Sequence, residues 1–314
     1  MNWGILGAAN IAQKALIPAI REAGSTVLAV AARDPERARA YAHHNQIELA
    51  LDYDALLNHP NIDIIYNPLP NSAHLPLTLK ALEAGKHVLC EKPLALNQQE
   101  VETMVEAQKA SGKLVMEAFF YRFHPQIQRL LDIVQSGELG DLRLMRSAFC
   151  FTLDNPSDIR WDPQLGGGAF YDVGCYCVDI MRLVAGRLPE QIHARGRFTE
   201  GRVDHTTSAM LEFDNGLVGH LDASFAVPFE QFFTVVGTQG TVHLNAPFVT
   251  REQNATLSLN GQPQAFAEFN GYREMVAHFE RAVQGLEEVR FPLEKDSLQQ
   301  VQIMDGVLKA IQYF

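Results

Sequence analysis

Trp3-Gly4-Ile5-Leu6-Gly7-Ala8-Ala9-Asn10-Ile11-Ala12 decides how this chain is read. Its first four residues have the pattern of a buried strand, and they run straight into a G-x-A-x-x-A loop, a variant of the dinucleotide fingerprint. Gly7 permits the tight turn, Ala9 stands where a second Gly normally lets backbone approach a pyrophosphate, and Ala12 lets the next helix pack closely on the strand. Phosphates would sit on the helix N-terminus, against Gly7, Ala8, Ala9, Asn10 and Ile11, where unpaired N–H groups and the helix dipole favour anions. An ordinary strand-to-helix turn is the plainer alternative.

Outward from that stretch, short apolar runs alternate with amphipathic ones up to about residue 122. Strands are expected at Trp3 to Leu6, Thr26 to Ala32, Ile62 to Asn67, His87 to Cys90 and Leu114 to Ala118. Helical patterns lie between them, and Pro18 should kink or restart the first. After Phe123 one helical segment is followed by long β-like runs, with turn signals at Asp214-Asn215-Gly216 and Asn260-Gly261. The chain closes on a helical stripe of Leu298, Val301, Met304, Leu308 and Ile311, with Asp296 and Gln299 resembling a capping box. The expected architecture is an α/β Rossmann dinucleotide-binding domain over 1–122, then an α+β domain over 123–314 with an open, mainly antiparallel sheet. The length, 314 residues, also favours two cores over one. An open sheet face with Phe225, Val227, Phe229, Phe232 and Phe233 nearby suggests a homodimer or homotetramer formed through it.

Composition narrows the partners. A net charge of -11 with no basic tract argues against nucleic acid and against an anionic membrane. No targeting segment or membrane span is read, and Cys90, Cys150, Cys175 and Cys177 form neither a C-x-x-C pair nor a disulfide framework. Free thiols in a cytoplasmic setting, a small-molecule substrate and no metal site are expected.

The second strand ends in Arg33, where such domains ordinarily carry an acid for the ribose hydroxyls. A guanidinium pairs with a 2′-phosphate that a carboxylate would repel, so Arg33, with Arg37 one turn on, predicts NADP(H) over NAD(H). Alternatively Arg33 pairs with Asp34 or Glu36, and Asp34 serves NAD(H). Pro68-Leu69-Pro70-Asn71 makes a stiff loop at the carboxyl edge of the sheet, with His74 just beyond as either a ligand contact or a structural residue. Cys90-Glu91-Lys92-Pro93 places a charged Lys directly after a buried strand. In Leu165 to Tyr176, three glycines precede a helix on which Asp172 and Tyr176 are four apart, one face of an α-helix. Lys, Asp and Tyr together can take a hydroxyl proton as hydride leaves for a nicotinamide. The alternative makes Asp172 an N-terminal helix acid and Tyr176 a packed aromatic.

These motifs, with Arg122 in Phe120-Tyr121-Arg122-Phe123-His124-Pro125, resemble the glucose-fructose oxidoreductase / inositol dehydrogenase / rhizopine-catabolism (Gfo/Idh/MocA) family over essentially the whole chain. The resemblance implies an NAD(P)-dependent oxidoreductase. It places Glu91 near the nicotinamide ribose, Lys92 against cofactor and reacting hydroxyl, and Tyr176 as acid/base. Arg122 and Trp161 then join Pro68, Leu69, Asn71 and His74 as cofactor contacts. Tyr176, where inositol dehydrogenase-like members carry His, together with Arg33 and Arg160-Trp161, is similar to the NADP-linked branch that includes dihydrodiol and xylose dehydrogenases. Arg160 and Trp161 are then expected beside a sugar or polyol with Lys92, Asp172 and Tyr176.

Overall fold

A computed structural model of the chain describes residues 1–250 and 254–313. The alternating first part forms β1 (Asn2–Leu6), α1 (Ile17–Glu22), β2 (Thr26–Ala31), α2 (Pro35–His44), β3 (Leu49–Leu51), α3 (Tyr53–Leu57), β4 (Ile64–Asn67), α4 (His74–Glu83), β5 (His87–Cys90), α5 (Gln98–Ser111) and β6 (Val115–Glu117). All six strands are parallel, in the order β3-β2-β1-β4-β5-β6. The order reverses between β1 and β4, so the carboxyl ends of these strands, at Leu6 and Asn67, flank the crevice where such sheets bind ligands. A π turn at Ala12–Leu16 precedes α1, and Pro18 lies in the first turn of α1, where its missing N–H is tolerated. β3 and α3 are additions to the sequence reading; β3 has three half-buried residues and too little pattern to register.

Next come α6 (Pro125–Gln135), β7 (Leu142–Cys150), α7 (Cys175–Ala185), β8 (Gln191–Phe198), β9 (Asp204–Glu212), β10 (Val218–Ser224), β11 (Glu230–Gly237), β12 (Thr241–Leu244), β13 (Thr256–Leu259), β14 (Gln262–Ala265), α8 (Gly271–Val283), α9 (Leu298–Ala310) and β15 (Ile311–Tyr313). The strands make one sheet, β14-β13-β12-β11-β7-β10-β9-β8-β15. It is mainly antiparallel, with parallel pairs only at β7/β10 and β8/β15 among the described residues. Asn260 and Gly261 both have positive φ and join β13 to β14 as a two-residue hairpin, as the Asn-Gly signal requires. Gly216 does the same service between β9 and β10.

The chain packs as two compact units, Met1–Phe120 with Asn270–Leu298, and Tyr121–Phe269 with Gln299–Phe314. The first crossing falls close to the expected 122/123 boundary. The expectation that 270–298 belongs to the second domain is corrected, because Trp3 Nε1 donates to Glu280 Oε1 at 2.7 Å and Ser297 Oγ donates to Glu117 Oε2 at 2.8 Å, both buried. Hydrophobic periodicity marks α8 as amphipathic but carries no address for its apolar face.

Three local expectations change. The last helix ends at Ala310, and Ile311 pairs with Ala194 as part of β15. A π turn at Leu293–Ser297 precedes α9, so Asp296 lies inside a helical turn and does not cap one. Phe225 and Phe233 are core residues, while Val227 and Phe229 are 39% and 46% exposed. All four cysteines are free and buried. Among the described residues, no helix is long and apolar enough to cross a membrane.

Candidate active site

In the first unit the loop after β1 has the shape the fingerprint demands. Gly7 has φ +83°, and a Cβ there would come within 2.8 Å of Leu69 Cδ2, so loop and Pro68-Leu69 segment meet at a point that only glycine fits. Ala8 and Ala9 are held from behind: Arg37 Nη2 donates to Ala8 O at 3.0 Å and Tyr41 Oη to Ala9 O at 2.9 Å. The helix begins at Asn10 with Ile11. Arg33 and Arg37 are exposed, and Arg33 has no ion-pair partner among the described residues. Asp34 caps α2, accepting from Glu36 N–H at 2.9 Å. One oxygen of the Asp34 carboxylate is engaged as the cap, and the exposed Arg33 guanidinium beside it is available to a phosphate. A dinucleotide fits this loop.

The segment after β5 is fastened at several points. Glu91 N–H donates to Asn67 O at 3.0 Å, its Oε1 accepts from Tyr66 Oη at 2.5 Å, and Leu94 N–H donates to Glu117 Oε1 at 2.9 Å. Burial, reinforced by the Glu91 carboxylate, pushes the Tyr66 phenol well up, so it stays a donor. The Lys92–Pro93 peptide is cis. Lys92 is half-buried beside the half-buried Glu91.

His74 is fully buried, its Nε2 lies 2.8 Å from Leu69 O and its Nδ1 2.9 Å from Pro93 O. Burial holds it down to about 4 against those carbonyls. The neutral ring has one N–H, so it donates to one of the two, between the Pro68-Leu69 loop and the Lys92-Pro93 turn. Asn71 opens a short 3-10 turn before α4 and is half-buried.

In the second unit Arg122 is buried against Asp179. Its Nε and Nη2 donate to Asp179 Oδ2 and Oδ1 at 2.7 and 2.6 Å, with side chains 1% and 0% exposed. Tyr121 Oη and Arg182 Nη2 also donate to Asp179. Burial alone would raise this carboxyl, but the two guanidiniums and the hydrogen bonds outweigh it and hold it below its ordinary value.

The glycine run is shaped by close approach. A Cβ on Gly167 would lie 2.4 Å from Arg160 O, and one on Gly168, with φ +126°, 2.1 Å from Asp204 Oδ1. Asp204 accepts from Phe170 N–H at 2.9 Å and Thr207 Oγ1 at 2.8 Å, so it closes the helix start and is buried. A π turn over Phe170–Gly174 contains Asp172, and Tyr176 follows at the start of α7. Tyr176 is 6% exposed, its ring 5.4 Å from Phe149 and Phe248 and 5.7 Å from Tyr121. Asp172 Oδ2 pairs with Arg160 Nε at 2.8 Å. Trp161 is half-buried, edge-on to Phe225 at 5.4 Å.

Tyr66, Glu117, Asp158, Asp179 and Asp204 escaped the sequence reading. Only Asp158 had a local signal, as the helix-starting residue before Ile159.

A parallel-sheet unit with this glycine turn, followed by an open-sheet unit, defines an oxidoreductase class that works with a nicotinamide dinucleotide. The model for the oxidoreductase family with NAD-binding Rossmann fold matches residues 1–119, and that for the GFO/IDH/MocA C-terminal domain matches 127–243. The chain belongs to the Gfo/Idh/MocA family of oxidoreductases. It is 36% identical to D-xylose 1-dehydrogenase (NADP(+)) 2 of Haloferax volcanii, over 99% of this chain and 97% of that one. It is 35% identical to trans-1,2-dihydrobenzene-1,2-diol dehydrogenase of Mus musculus, over 85% and 80%. The crystal structure of KijD10, a 3-ketoreductase from Actinomadura kijaniata in complex with NADP and TDP-benzene, superposes with a TM-score of 0.93 at 28% identity, covering 100% of this chain and 99% of that one.

Proposed function

We propose that this chain is an NADP(H)-dependent dehydrogenase or reductase acting on a secondary alcohol or hemiacetal carbon of a sugar or polyol, and on the carbonyl in reverse. The observation that carries the reading is the pairing of a capped Asp34 with an exposed Arg33 in the dinucleotide unit. Residues Gly7 to Ile11 would hold the pyrophosphate, Arg33 and Arg37 the 2′-phosphate, and Pro68, Leu69, Asn71 and Glu91 the nicotinamide side. When bound, NADP accepts or returns a hydride at its nicotinamide ring. Tyr176, as the phenolate that the Lys92 ammonium would favour, takes the substrate hydroxyl proton at its oxygen, its ring held against Phe149 and Phe248. Lys92 steadies the negative charge that develops on the substrate oxygen, and Asp172 orients the proton transfer.

The Phe149 and Phe248 rings packed on Tyr176 favour a second substrate class, a non-sugar diol or dicarbonyl such as the mouse relative's name indicates. A third reading, a cofactor-sensing regulator without turnover, has no use for Lys92, Asp172 and Tyr176 together. Titration with NADPH and NADH by nicotinamide fluorescence, followed by a panel of aldoses and diols with NADP, separates them. Preference for NADPH with aldose turnover supports the proposal, diol-only turnover moves the substrate class, and binding without any turnover overturns catalysis. The open sheet presents Arg146, His193, Arg195, His220 and Asp222 as exposed groups. Together with Val227 and Phe229 it supports a homodimer or homotetramer, which light scattering after gel filtration tests; a monomer at micromolar concentration rejects it.

A further inference from the structure

Arg160 carries more contacts than a substrate-binding guanidinium needs. Its Nε lies 2.8 Å from Asp172 Oδ2 and its Nη1 3.3 Å from Asp158 Oδ2, while the guanidinium carbon stands 5.9 Å from the centroid of the Phe151 ring. The Arg160 backbone is equally engaged: its N–H donates to Asp158 Oδ1 at 3.0 Å, and its carbonyl accepts from Gly168 N–H at 2.9 Å. Gly167 lies so close that a Cβ would fall 2.4 Å from the same carbonyl oxygen. One residue thus fixes the loop of residues 154–168 from both its side chain and its main chain, and its Nε holds one oxygen of the Asp172 carboxylate.

The Arg160 side chain is 41% exposed and that of Asp172 19%. Ion pairs this accessible contribute little to stability, so support of the fold does not account for the arrangement. A planar guanidinium does something a rotating ammonium does less well: its N–H groups point in fixed directions, so Arg160 holds Asp172 and Asp158 in a set relation to each other.

We propose that Arg160 is a positioning residue, which sets the Asp172 carboxylate for proton transfer and ties that setting to the docking of the 154–168 loop. The proposal rests on the role given above to Asp172. It removes Arg160 from the substrate contacts: a substrate reaching Asp172 meets a carboxylate whose orientation the loop has already chosen. A loop shaped by a different substrate would shift Asp172 with it, so turnover, more than affinity, is what a poorly fitting substrate loses.

The test compares R160Q, R160K, D172N and the double variant R160Q/D172N, using the aldose or diol that the wild-type protein turns over. R160Q is expected to lower kcat about 10- to 100-fold, the scale of an ångström-level misplacement, with KM changed less than threefold and NADPH affinity unchanged. R160K recovers part of the loss, because an ammonium supplies the charge to Asp172 and Asp158 without the fixed N–H directions of the guanidinium. The double variant is no slower than D172N alone. A rise in KM at constant kcat in R160Q, or losses that multiply in the double variant, would overturn the positioning role while leaving Asp172 its own. An unchanged kcat in D172N would overturn the proton-transfer reading and the Arg160 proposal with it. Equal unfolding midpoints across the set exclude a folding defect as the source of the losses; a midpoint lowered in R160Q but not in R160K leaves R160K to decide by the same kcat criterion.

Discussion

The Asp34 carboxylate accepts a hydrogen bond from the Glu36 N–H at 2.9 Å and so serves α2 as its N-cap. Arg33 stands exposed at the same strand end. Arg33→Ala should therefore weaken NADPH binding by about 1.5–3 kcal/mol, the range for hydrogen bonds to charged groups, with NADH affinity nearly unchanged. Equal losses for both cofactors in fluorescence titrations would reject the 2′-phosphate role.

Tyr176 sits in a closed aromatic surround formed in part by Phe149 and Phe248. Tyr176→Phe preserves the ring packing and removes only the hydroxyl, so kcat should fall about 10²- to 10⁴-fold while the unfolding midpoint and NADPH affinity hold. Turnover at the wild-type rate would remove Tyr176 as the acid/base.

The buried Asp179 stands between two guanidiniums. Replacing it with Asn leaves Arg122 and Arg182 without their counter-charge, and the cost of stranding a buried charge is about 3–5 kcal/mol. Urea unfolding of Asp179→Asn should show that loss; a change below 1 kcal/mol would mean water reaches the pair.

Acid should weaken the fold in two separate windows. Burial holds His74 and His124 down to about 4, and His124 Nδ1 accepts from Gln126 N–H, a bond that needs the ring nitrogen unprotonated. An unfolded histidine titrates near 6.5, so between 6.5 and 4 the unfolded chain binds more protons and stability declines as pH falls. Asp179 has a depressed carboxyl, so its contribution is complete above about 3.9 and is lost only as pH falls further, through its folded value. Unfolding free energies measured at pH 7, 5.5 and 4 check the first window; a flat profile contradicts it.

Much of this was legible because it is local. Gly112 and Gly186 end α5 and α7 in the left-handed conformation, Asn260-Gly261 turns a hairpin, and the Gly7 loop announces its own φ. What stayed hidden depends on partners distant in sequence. Arg122 finds Asp179 only after 57 residues, and nothing near either one says so. His74 looks like a ligand until Pro93, 19 residues on, takes its Nδ1 side.

The first unit is assembled from two pieces of chain, with Trp3 bonded to Glu280 and Glu117 to Ser297. During synthesis the earliest strand therefore emerges long before the side chain that satisfies its indole N–H. The parallel sheet can form early, but it waits for nearly the whole polypeptide before its buried polar groups are complete, so a ribosome-stalled or truncated product ending before residue 280 carries an unfinished nucleotide unit and is exposed to proteolysis.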